Sequence, residues 1–166
     1  MDRSRVARSL ALFLVALLVA YLLVNPPLFL VSTGSYGNAT VTAVDANGTD
    51  LATVDVRIAD TENKQRVGLS RTESLGPGEG MLFVFAGEDQ RTFHMQGMAF
   101  PLDMVFVAGN GTVTAIRHAP VPADAAGSGT RYYSGYGQYV LEVTRGWANR
   151  TGVEVGDRIA IPESVG

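Results

Sequence analysis

The apolar positions of the chain change rhythm twice. Residues 10–24, LALFLVALLVAYLLV, run without a charge, and from residue 40 onward the apolar positions alternate with polar ones. Residues 40–44 read as a strand, residues 45–48 (DANG) as a hairpin turn, and residues 51–58 as a second strand with Val54, Val56 and Ile58 on one side. Asp60 or Thr61 caps a short helix to about Leu69, with Glu62 near its start and Arg66 near its end, where each charge complements the helix dipole. Residues 81–85 form an almost unbroken apolar run, as expected for a strand buried on both faces; residues 87–89 (GED) predict a reversal, with 91–95 returning. Residues 102–107, 113–116, 139–143 and 158–161 supply further strands, residues 146–151 a single helical turn, and residues 119–131 a long exposed loop holding two Pro and two Gly. Eight or so short strands with one short helix predict a mainly β (α+β) domain, a small barrel- or sandwich-like antiparallel sheet preceded by a transmembrane helix.

The uncharged run sets the topology. At 1.5 Å per residue, residues 10–24 span about 22 Å, short of a hydrocarbon core of roughly 30 Å; continuing through Pro26 and Pro27 to Val31 gives about 33 Å. No good small-x-small cleavage site follows, so the segment reads as an uncleaved signal anchor, with secretion after cleavage as the alternative. Arg3, Arg5 and Arg8 place the N-terminus in the cytoplasm by the positive-inside rule. The organisation expected is a basic cytoplasmic start (1–9), a single-pass membrane anchor (10–31), a tether (32–38) and an extracytoplasmic β domain (39–166). Four of the six Asn, namely Asn38, Asn47, Asn110 and Asn149, open Asn-x-Thr acceptor sites for N-glycosylation, which fits an outside domain. From residue 38 on, 10 basic and 15 acidic side chains leave a net charge of −5, a surface that repels phosphate backbones and argues against nucleic acid as partner. With no Cys, the chain has no disulfide, thiolate metal site or cysteine nucleophile.

Candidate chemistry gathers around residues 80–107. The strand GMLFVF (80–85), then FHM (93–95), then PLD (101–103) resembles the heart of the domain of unknown function 192 family, over roughly residues 50–162. That family has no agreed activity. The resemblance implies a role for Asp103 in the Pro-Leu-Asp motif, for Glu142 in Tyr-Val-Leu-Glu, and for Arg71 as the basic residue after the Gly-Leu pair. Each acid lies among apolar strand neighbours, so it must be paired or face a cleft. A hydrolase using Asp103 and Glu142 as an acid–base pair needs the two carboxyls about 5 to 9 Å apart around an open cleft; a salt bridge to Arg71 or Arg91 indicates strand locking instead. The segment departs from the family pattern at His94 and at Gln96-Gly97-Met98, and with Met95 the residues His94 and Met98 offer soft donors for Cu(I), provided Gly97 turns Met98 back, with His118 a further ligand if its strand lies alongside. Tyr132, Tyr133, Tyr136 and Tyr139 form an aromatic cluster after the long loop, and Trp147 plugs one end of the core. The reading that follows is a membrane-anchored extracytoplasmic binding or accessory module without resident cofactor, whose loop 119–131 and Tyr cluster meet an envelope protein or polymer.

Overall fold

The computed structural model describes residues 3–25, 31–122 and 131–165, and the chain divides into two units, one ending at Ser32 and one beginning at Thr33. The first unit is a helix, α1 (Arg3–Val24). It stops just before the Pro pair, since a residue preceding Pro is driven out of the helical region, and the Asn25 amide closes the last turn on the Tyr21 carbonyl. The segment expected to continue the membrane span to Val31 passes through residues 26–30, outside the described residues. Among the described residues no helix is long and apolar enough to cross a membrane.

The second unit is one curled sheet of seven strands: β1 (Gly37–Val44), β2 (Asp50–Ala59), β3 (Glu79–His94), β4 (Leu102–Val107), β5 (Val113–Ala119), β6 (Tyr132–Thr144) and β7 (Arg158–Ala160). Their order is β5-β4-β6-β3-β2-β1-β7. The two ends of this order meet at one corner, where Thr112 bridges Arg158 and the Ile159 amide bonds to the Gly111 carbonyl at 2.8 Å. The sheet is therefore a half-barrel with a concave and a convex face. Strand alternation sends Val54, Val56, Leu82, Val105, Leu141 and Val143 inward, where Trp147 closes one end from α3 (Trp147–Thr151). The opposite positions, among them Met81, Phe83, Met104, Phe106 and Val140, build a second cluster on the convex face. Each fully buried side chain of this kind contributes about 1.5–3 kcal/mol relative to exposure.

Two features depart from the expected sheet. The sheet is not wholly antiparallel: β2 and β3 run parallel, Asp55 opposite Glu79 through Ala59 opposite Phe83. The connection between them is a crossover carrying α2 (Glu62–Val67), which starts on Thr61, whose hydroxyl accepts from the Lys64 amide. Nor does the chain reverse at residues 87–89. The segments expected as a hairpin are one 16-residue strand, β3, paired along both halves with β6, from Gly80 opposite Val143 to His94 opposite Tyr132. The charged residues form a bulge between Val84 and Asp89. Arg91 fastens it by donating to the Gly87 and Gly137 carbonyls while its guanidinium lies 4.1 Å above the Phe85 ring.

Candidate functional site

Asp103 and Glu142 lie on neighbouring strands but on opposite faces of the sheet. In the β4–β6 ladder Asp103 stands opposite Val143 and Met104 opposite Glu142, and successive residues of a strand point to opposite sides. Asp103 therefore shares the concave face with Val143, and Glu142 the convex face with Met104 and Met81. Both are buried. No cleft holds the two carboxyls together, which removes the geometry a two-carboxylate hydrolase requires.

Asp103 is paired, although with neither Arg71 nor Arg91. Its Oδ1 is 2.7 Å from His118 Nδ1, directly across the β4–β5 ladder, and its Oδ2 accepts from the Ala148 amide at 3.1 Å. One carboxylate thus ties β4 to β5 and to the first turn of α3. His118 is 44% exposed, so the pair reaches from the buried concave face to solvent. His118 is not a partner of the 94–98 segment. Glu142 has the opposite character: burial alone pushes its carboxyl up to about 8, so it is mostly protonated at neutral pH. Arg71 is exposed in the loop between α2 and β3.

The three soft donors do not converge. Gly97 does adopt a left-handed φ of 76°, and the Met98 amide bonds to the Met95 carbonyl at 3.1 Å, so the expected turn forms. His94 and Met95 nevertheless diverge at the end of β3. His94 is exposed, takes the Gln96 amide on Nδ1 and meets Tyr132 edge-on, whereas Met95 is 2% exposed inside the convex cluster, against which Met98 also packs. Core packing accounts for both methionines.

The Tyr cluster is the exposed side of a two-stranded arm made by the outer halves of β3 and β6. Phe93 pairs with Tyr133, and both face the core, Phe93 standing edge-on to Phe83 and Phe106 at centroid distances of 4.9 and 6.0 Å. Gly135 lets the arm lie down, because a Cβ there would collide with the Phe106 ring. The intervening positions point outward: His94 opposite Tyr132, Thr92 opposite Ser134, Gln90 opposite Tyr136. Tyr132 is 68% and Tyr136 49% exposed, and the Thr92 and Ser134 hydroxyls bond to each other at 2.9 Å. The Tyr136 phenol is held above its usual value by desolvation and by the adjacent Glu88 carboxylate. Tyr139 lies in the concave core, and Trp147 plugs it. Of the loop 119–131, residues 123–130 lie outside the described residues.

All four acceptor asparagines are exposed. Asn110 also accepts the Thr112 amide with its side chain, the turn chemistry that makes Asn-Gly-Thr common between strands. One concave feature has no counterpart in the motif reading. A groove of about 680 Å³ opens where β1, β2 and the start of β3 meet the loop at residues 72–79, with Arg57, Asp55 and Glu79 among its walls. In the sequence these three charges are scattered over 25 positions, and only the β2–β3 parallel register brings them together.

Two solved structures share the fold. A candidate transcription regulator from Sinorhizobium meliloti 1021 is 29% identical with a TM-score of 0.68, covering 77% of this chain and 96% of its own. A protein of unknown function from Novosphingobium aromaticivorans DSM 12444 is 28% identical with a TM-score of 0.65, covering 78% and 94%. No curated protein matches. The family model that matches, over residues 42–161, spans the half-barrel from β1 to β7 and includes the Asp103 and Glu142 strands, and the chain is accordingly a member of DUF192, the family described as Uncharacterized ACR.

Proposed function

We propose that the protein is a membrane-tethered, extracytoplasmic binding module that contacts an envelope polymer or protein through the exposed face of the β3–β6 arm. The observation that carries this reading is the arm's asymmetry. One face gives Phe85, Phe93 and Tyr133 to the core, while the other displays Tyr132, Tyr136, His94 and the Thr92–Ser134 hydroxyl pair to solvent. Exposed Tyr rings offer contact area at low entropic cost, and their hydroxyls add hydrogen bonds, a combination suited to glycan or extended peptide surfaces. In this proposal the loop 119–131, whose residues 123–130 lie outside the described residues, contributes to the same contact.

The tether reading is supported by α1. Its side chains at residues 11–24 are apolar and exposed, a pattern that suits a nonaqueous surrounding. Residues 26–31 complete the span in this proposal, the three N-terminal Arg remain in the cytoplasm, and the exposed acceptor Asn are available for glycans. Nucleic acid is disfavoured as the partner, because the net charge of −5 from residue 38 onward repels a phosphate backbone.

The test is co-sedimentation of the detergent-solubilised full chain with membrane-free envelope polymer. The wild type should be retained, and the Tyr132→Ala/Tyr136→Ala double variant should lose about ten-fold in affinity. Equal retention of the two proteins contradicts the reading.

A further inference from the structure

The groove at the β1–β2–β3 edge holds charges of both signs that do not neutralise each other. Arg57 donates to Thr72 Oγ1 at 3.0 Å, and its guanidinium stands 5.8 Å from the Tyr36 ring centre. Asp55 accepts from Thr40 Oγ1 at 2.6 Å, and Glu79 accepts the Gly76 amide at 2.8 Å. Among the described residues none of the three forms an ion pair. Each is fixed by a neutral partner and keeps hydrogen-bonding capacity toward the groove: guanidinium N–H groups on one, a second carboxylate oxygen on each of the others.

The ladder orders these charges. Thr40, Asp55 and Glu79 are register partners across β1, β2 and β3, and Asn38 and Arg57 are partners in the next row on the same face. Two strand steps, about 7 Å, separate the carboxylate row from the guanidinium row. The groove volume of about 680 Å³ falls within the roughly 300–1,000 Å³ usual for small-molecule sites. We infer that this groove binds a small zwitterion of the α-amino-acid type, its carboxylate on Arg57 and its ammonium between Asp55 and Glu79. A neutral sugar fits less well, because among the described residues none that lines the groove is aromatic and able to stack. A simple anion meets two carboxylates beside its one cation. The inference is independent of the arm face.

The test is isothermal titration of the full chain in detergent with L-alanine, L-glutamine and L-arginine, with acetate and ethylammonium as the two half-ligands. Saturable binding is expected from at least one amino acid, with neither half-ligand binding within ten-fold of it. Arg57→Met and, separately, the exposed Asp55→Asn should each weaken it at least ten-fold while the circular-dichroism melt confirms folding. Failure of all three amino acids to bind, half-ligands as tight as the whole, or unchanged affinity in a folded Asp55→Asn protein would each overturn the assignment.

Discussion

Asp103 Oδ1 and His118 Nδ1 face each other at 2.7 Å across the β4–β5 ladder, while the other Asp103 oxygen takes the Ala148 amide. A fully buried carboxylate held by two elements at once is a structural clasp, and removing its charge leaves the partners it joins under-satisfied.

Asp103→Asn should therefore destabilise the domain by about 1–3 kcal/mol, a fall of roughly 4 °C in melting temperature per kcal/mol for a domain of this size. A thermal melt of wild type and variant measures it. An unchanged melting temperature would mean that the clasp contributes nothing and would return Asp103 to consideration as a reactive group.

Glu142 gives the opposite kind of prediction. Folding raises its pKa from 4.5 to about 8 through burial, so the native chain holds a proton that the unfolded chain has released between those values. Its contribution is fully present below about pH 4.5 and is lost as pH rises through about 8, by on the order of 5 kcal/mol. Glu142→Gln, neutral at every pH, should flatten that slope and exceed the wild type in stability at pH 8. Urea midpoints of both proteins between pH 4.5 and 8.5 decide it, and parallel slopes would show that the carboxyl is solvated in the fold.

Gly135→Ala tests how the arm is seated. A methyl group at this position meets the Phe106 ring, so the arm must lift or the ring must move, at about 1–3 kcal/mol. The double variant with Phe106→Leu should recover part of the loss. Additive losses would place the two residues out of contact.

Topology yields a separate test. Protease added to intact cells should remove the half-barrel while leaving the N-terminal segment with the membrane. A protected domain would reverse the orientation, and a domain released into the medium without protease would indicate a cleaved signal.

Local chemistry was legible in the sequence where it depends on neighbours a few residues apart. The alternation put Val54, Val56 and Ile58 on one side, which is the concave face, and Asp60 or Thr61 marked the start of α2, where Thr61 is the cap. The divergence of His94 and Met95 also follows from strand period alone. What depends on distant pairing was not legible. Glu88 and Asp89 look like a reversal until β6, some 50 residues on, is seen to pair with both sides of the bulge. Asp103 and Glu142 look like partners because each lies in an apolar strand, and only the register of β4 against β6 puts them on opposite faces. The parallel β2–β3 pairing, and with it the grouping of Arg57, Asp55 and Glu79, likewise has no local signature.

The outward side of the β3–β6 arm is the proposed contact surface. Hydrogen–deuterium exchange of the full chain in detergent, with and without solubilised envelope polymer, reads that surface directly. Added protection is expected at residues 90–94 and 132–136, with the concave strands unchanged. Protection confined to other segments, or none at a polymer concentration that retains the protein in sedimentation, would contradict it.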